Sequence, residues 1–310
     1  MNALLDIILP VFLVIGFGYL AVWSGAFSDT ASQALISFSQ NFAIPLLLFS
    51  AIASLDLSAG FDSGLLLSYY IGSAATFFLC MFGARYLLSR DWPDSVAIGF
   101  CALFANSLLL GLSVTEQAFG ADALGPNYAI VAVHAPFCYF LGITAMSLAE
   151  AKTASTWGTV RTVAAGMFNN PLMIGIILGF FANFSGLQLP SAVSDAFALL
   201  IRAALPTALF ALGGVLYRYR PGGATTAVIW ICALSLFVHP AIVLGLSTKV
   251  FDLPLALTRS AVITAAMAPG VNSFLFASMF GRAQNIAATA VLVGTAASVV
   301  SASFWLSVLQ

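Results

Sequence analysis

Read along the chain, apolar residues run in long blocks separated by short clusters of charge, proline, glycine and acidic turn residues. A helix that crosses a bilayer needs about 20 largely apolar residues. With the polar clusters taken as breaks, ten candidate spans result, roughly at 4–23, 32–53, 64–87, 95–119, 127–149, 166–186, 193–216, 225–248, 256–280 and 285–308. The connectors are short and leave no room for a soluble domain, and the longest polar gap, 150–162, falls in mid-chain. The pattern predicts an all-α polytopic membrane protein.

Composition agrees and narrows the classes. Of 310 residues, 61% are hydrophobic and 7% are charged, and the mean hydropathy is +1.05. Soluble domains carry about 25% charged residues, because their surface faces water. Soluble enzymes and disordered regulators are thereby excluded, and the net charge of −1 shows no basic excess for nucleic acid. Cys80, Cys101, Cys138 and Cys232 each stand alone in an apolar stretch, without a CxxC or Cys/His ligand spacing, so they read as small buried hydrophobes. The first block has no Lys or Arg before it and no A-x-A-like site after it, which reads as a first span rather than a cleaved leader.

The few basic residues set the orientation. Arg85, Arg90, Lys152, Arg161, Arg218, Arg220 and Arg282 follow odd-numbered spans. The opposite side has Lys249 and Arg259, among Asp56, Asp62, Glu116, Asp122 and Asp252. Positive charge gathers on the cytoplasmic side, so both termini are expected outside the cytoplasm.

The chain also repeats itself at one offset. Pro10 and Gly18 recur as Pro171 and Gly179, Pro45 and Phe49 as Pro206 and Phe210, and Phe119-Gly120 as Phe280-Gly281, each pair 161 positions apart. The expected organisation is a first five-helix repeat over 1–150, a cytoplasmic connector over 151–165 and a second repeat over 166–310. An odd number of spans per repeat makes the second repeat inverted, a transporter signature. Pro45, Pro206 and Pro269 are the expected helix breaks or hinges.

Span nine reads Ala265-Ala-Met-Ala-Pro269-Gly270-Val-Asn272-Ser273 at its centre, and span four carries Asn106-Ser107 and Gly111 at a similar depth without a proline. A break at membrane depth is tolerated only where it faces protein or a wet cavity. Two helices restarting there would aim positive dipole ends at the midplane, which suits an anionic ligand. The candidate substrate-binding residues are Asn106, Ser107, Gly111, Pro269, Gly270, Asn272 and Ser273, joined by Asn41 and by Arg202, which lies well inside span seven. The plainer alternative is a kink at Pro269, helix-gluing asparagines and an Arg202 side chain snorkelling toward Asp195. His134 and His239 read as hydrogen-bonded structural residues.

Several segments carry a family resemblance. The opening Ile8-Leu-Pro10-Val-Phe-Leu-Val-Ile-Gly16-Phe-Gly18-Tyr-Leu resembles the start of auxin efflux carrier family permeases of bacteria. So do Asn41-Phe-Ala-Ile-Pro45, Phe104-Ala-Asn106 with Gly111-Leu112, and Ala268-Pro269-Gly-Val-Asn272 leading to Phe280-Gly281. The resemblance covers nearly the whole chain. It implies a ten-helix fold shared with plant PIN auxin exporters and bile acid–sodium symporter relatives, in which two inverted repeats form a scaffold and a transport domain. It also implies broken helices four and nine crossing at the substrate site, with Asn106 and Asn272 as crossover asparagines, elevator-like movement, and cargo such as malonate, malate or lactate. Two departures stand out: Gly111-Leu-Ser113-Val where many relatives have Gly-x-Pro-Leu, and Phe280-Gly281 in place of Tyr-Gly.

The expected function is secondary transport of a small organic anion in a bacterial inner membrane, with the lipid bilayer as surroundings and a homodimer as a compatible assembly. No catalytic residue, metal site or cofactor is expected, and the coupling ion, proton or sodium, stays open. A channel or a membrane sensor is the alternative. An intramembrane enzyme is the remote one, since no Gly-x-Ser-x-Gly, HExxH or paired membrane aspartates occur.

Overall fold

The computed structural model describes residues 2–54, 62–150, 171–187, 189–219 and 224–310, with side chains described from residue 9 onward. The 151–165 connector with Lys152 and Arg161, together with Asp56 and Arg220, lies outside the described residues. Every regular element among the described residues is helical, and the one β-bridge is isolated.

The helices are α1 (Asn2–Trp23), α2 (Asp29–Phe38), α3 (Ile44–Ala53), α4 (Ser63–Tyr86), α5 (Trp92–Leu103), α6 (Leu112–Phe119) and α7 (Gly125–Ala149), followed by α8 (Pro171–Ser185), α9 (Ser191–Arg218), α10 (Thr225–Ala233), α11 (His239–Gly245), α12 (Leu255–Ala265), α13 (Val271–Phe280) and α14 (Gln284–Val308). Among the described residues, six helical segments are long and apolar enough to cross a membrane: Asp29–Ala53, Ser63–Tyr86, Ala121–Ala149, Ser191–Arg218, Thr225–Lys249 and Gln284–Val308. Four shorter apolar helices accompany them, at Leu9–Trp23, Pro171–Ser185, Leu255–Ala265 and Val271–Phe280. Large apolar side chains such as Phe17, Phe82, Phe181 and Leu199 point outward, as lipid-facing surfaces require.

Several helices run through a widened π turn, and two of these turns come just before a proline. Ser39–Ala43 leads to Pro45, and Leu234–Val238 leads to Pro240. Proline has no N–H and its ring crowds the carbonyl four residues back, so a wider turn relieves the clash. For Pro240 that carbonyl is Leu236, which accepts instead from the Trp305 indole N–H at 2.8 Å. Pro206, by contrast, lies inside an uninterrupted α9.

The chain folds into two compact units, each drawing on both halves of the sequence. One comprises Pro10–Gly60 and Ala164–Arg218. Here α8 lies along α3 and α9 packs against α2. Gly175 approaches the Pro45 backbone and Gly179 the Phe49 backbone so closely that a Cβ at either would overlap them. Gly18 of α1 meets Phe210 of α9 in the same way. Gly18–Phe210 and Gly179–Phe49 are therefore one contact made twice, with the partners exchanged between positions 161 apart.

The other unit comprises Met1–Leu9, Phe61–Val163 and Tyr219–Gln310. Its α4 and α5 form a tight hairpin, α11 packs on α4 and α12, and α14 packs on α10 and α13. The Phe100 and Phe276 rings stack at 3.8 Å between centroids, joining α5 to α13, and Gly142 of α7 clears the space beside Phe100. At one rim, Arg282 reaches Asp91 at 3.4 Å and Asp94 at 4.0 Å. Burial, and then the neighbouring Asp91, holds the Asp94 carboxyl above the ordinary carboxylate range.

The close glycine contact gives a direct check. Gly18→Ala forces a methyl group onto the Phe210 carbonyl and is expected to lower stability by about 1–3 kcal/mol. Gly16→Ala, where nothing lies within 4 Å, is expected to be neutral. Thermal unfolding of the purified protein in detergent measures both.

Candidate functional site

In the larger unit, α5 stops at Leu103 and α12 stops at Ala265. The chain then runs non-helically through 104–106 and 267–270 before helices restart at Ser107 and Val271. Helix ends leave backbone groups without partners, and at membrane depth lipid supplies none. The two non-helical segments supply each other. Ala105 and Pro269 form an antiparallel bridge, in which the Asn106 N–H donates to the Ala268 carbonyl and the Gly270 N–H to the Phe104 carbonyl, both at 2.8 Å. Pro269 fits this arrangement because the bridge asks for no N–H from it.

Side chains complete the accounting. His134 Nε2 donates to the Ala105 carbonyl at 3.1 Å. Ser301 Oγ donates to the Ala266 carbonyl at 3.3 Å, and Ser273 Oγ reaches the Phe104 carbonyl at 3.5 Å. The Asn106 carbonyl takes the N–H groups of Leu110 and Gly111. Gly294 of α14 seats the Pro269 ring, since a Cβ there would come within 2.9 Å of its Cδ.

The sequence-predicted residues in this unit gather around the bridge. Asn106, Ser107, Gly111, Pro269, Gly270 and Ser273 are buried, while Asn272 is half-buried. Asn106 caps its own helix by accepting the Leu109 N–H on Oδ1 at 3.3 Å. Asn272 accepts from Tyr139 Oη at 3.3 Å. Gly111 packs against Thr264, which places the restarted helix of one segment beside the ending helix of the other. Asn41 and Arg202 belong to the smaller unit. There Asn41 sits in the π turn and donates to Ser37 Oγ at 2.9 Å, and Arg202 is exposed, with no ion pair to Asp195. Pro45 lies buried in the first turn of α3.

Sequence reasoning missed the contribution of α7. Asn127 donates to Thr115 at 3.2 Å and Thr264 at 2.7 Å, His134 holds Ala105, and Tyr139 holds Asn272. Asn127 and His134 are seven residues apart, two helical turns, so they share a face. That spacing of polar residues in an otherwise apolar helix was the available signal. His239, read with His134 as structural, pairs with Ser73 Oγ at 3.0 Å. The four cysteines are free thiols, Cys232 half-buried and the others buried.

His134→Phe keeps an aromatic ring but removes the donor to Ala105. Amide hydrogen exchange at Asn106 and Gly270 is expected to speed up about tenfold, the equivalent of one lost hydrogen bond. His134→Gln, which keeps an N–H at similar reach, is expected to stay near the wild-type rate.

Sequence comparison shows the family of a chain with this arrangement. The chain matches the "Membrane transport protein" family model over residues 4–306. It is 26% identical to a Rhizobium meliloti (strain 1021) protein named "Putative malonate transporter", covering 96% of this chain and 93% of that one. It is 23% identical to the Escherichia coli (strain K12) "Uncharacterized transporter YfdV", covering 97% and 96%. The chain belongs to the membrane transport protein family of auxin efflux carriers, and is an integral membrane transporter.

Proposed function

We propose that the protein is a secondary carrier of a small mono- or dicarboxylate, with malonate as the first candidate. The observation that carries this reading is the reciprocal Asn106–Ala268 and Gly270–Phe104 pairing, which sets two asparagines and two helix starts at one uncharged crossing. No Asp or Glu occurs in 104–113 or 266–273, so nothing there repels an anion. Helix N-termini and amide groups stabilise negative charge without the cost of a buried cation. The name of the Rhizobium meliloti relative points to the same substrate class.

In this reading the chain makes ten spans in two inverted repeats, 1–150 and 166–310, and spans four and nine are broken helices that cross at the substrate. The exchanged Gly18–Phe210 and Gly179–Phe49 contacts support the inversion. Alternating access is of the elevator type, with the crossover unit as the transport domain and the unit of Asn41 and Arg202 as the scaffold. The protein sits in a bacterial inner membrane with both termini outside, as the bias of Lys and Arg indicates.

Purified protein in liposomes loaded with unlabelled malonate is expected to accumulate labelled malonate by saturable counterflow. Replacing both Asn106 and Asn272 with alanine is expected to cut that flux about tenfold or more, as loss of hydrogen bonds to a charged ligand would. Wild-type flux in the double variant would refute the site. Single-channel conductance steps, or no carboxylate flux at all, would refute the carrier reading.

A further inference from the structure

The crossover asparagines are presented to a ligand in one sense only. A side-chain amide has one accepting oxygen and a donating NH2, and the end that faces a ligand is decided by what holds the other end. At Asn106 the choice is forced. The group it caps is the Leu109 backbone N–H, which can only donate, so Oδ1 is occupied and Nδ2 is the end left open. That Nδ2 has no acceptor among the described residues.

At Asn272 the choice rests on a single hydroxyl. Tyr139 Oη can donate or accept, but its proton has no other acceptor among the described residues, so it donates to Asn272 Oδ1 at 3.3 Å, and Asn272 Nδ2 likewise has no acceptor among the described residues. The Tyr139 ring is fixed for this task between Phe100, at 5.6 Å between centroids, and Phe104, at 5.7 Å. Phe104 is itself part of the crossing, through its carbonyl bond to the Gly270 N–H. The ring therefore rests on one interrupted segment while its hydroxyl orients the asparagine of the other.

We propose that Tyr139 is a positioning residue that sets specificity: by occupying Asn272 Oδ1 it leaves both crossover asparagines as hydrogen-bond donors, so the site selects carboxylates over amines of the same size. This rests on the carrier reading for the place of the site, and adds the residue that decides which ligand chemistry fits. Without the hydroxyl, the Asn272 amide is free to turn and offer an acceptor, and one donor to the carboxylate is lost part of the time.

The test is a calorimetric binding titration of the purified full chain with malonate and with 1,3-diaminopropane, a cation of similar length. The wild type is expected to bind malonate and not the diamine. Tyr139→Phe is expected to weaken malonate binding about tenfold, in the range of one charge-assisted hydrogen bond. In an Asn272→Ala background the same substitution is expected to change nothing further, because Tyr139 acts through Asn272; a merely structural role would give equal weakening in both backgrounds. Equal weakening, or Tyr139→Phe affinity within about twofold of wild type, overturns the assignment, as does a wild type that prefers the diamine or binds no malonate. Should Tyr139→Phe fail to fold, Asn272→Asp decides: it keeps the shape, replaces the donors by oxygen, and is expected to abolish malonate binding, so retained binding overturns the proposal. Malonate that binds the wild type but does not cross the liposome membrane refutes the carrier reading and leaves the role of Tyr139 standing.

Discussion

Hydrocarbon offers no partner to a peptide N–H or C=O, so a membrane protein that interrupts a helix must satisfy the exposed backbone from within. Two interruptions in this chain do so by exchanging hydrogen bonds, Asn106 N–H to Ala268 and Gly270 N–H to Phe104. Each segment is the other's hydrogen-bond partner. The surrounding unit follows from that constraint. Gly294 makes room for the Pro269 ring, and His134, Ser301 and Ser273 take the remaining carbonyls. Asn127 ties the restarted helix of one segment, at Thr115, to the ending helix of the other, at Thr264.

The same arrangement yields chemistry. A satisfied break leaves restarted helices whose first turns face the crossing, and it places Asn106 and Asn272 at or near those starts. Because Leu109 and Tyr139 occupy the two side-chain carbonyls, what remains open is donor. In the proposed function that donor set, with no formal charge in it, is what holds a carboxylate weakly enough to be released on the other side. A carrier gains nothing from a binding site so deep that it cannot empty.

Much of this was legible in the sequence, for identifiable reasons. The helical class follows from block length and the scarcity of charge, and the non-helical stretch beside Pro269 from the removal of an N–H. Asn106, Gly270 and Asn272 were visible because they cluster beside Pro269 and at the matching depth of span four. Segment four was harder, lacking a proline; its interruption depends on the partner strand from segment nine, which no local rule encodes. Tyr139, Asn127 and the backbone at Ala105 were hidden for a related reason. A tyrosine in an apolar helix looks like packing until the asparagine 133 residues away is placed beside it. Pro206 shows the reverse, a residue whose local rule favours a break but whose helix runs on unbroken.

An experimental map of the protein with malonate bound decides whether the paired segments form the substrate site. The map is expected to show two non-helical segments at 104–106 and 267–270 bridged through Ala105 and Pro269, with a malonate carboxylate within hydrogen-bond distance of the side-chain nitrogens of Asn106 and Asn272. A continuous helix through either segment, or malonate bound away from both asparagines, would contradict that expectation.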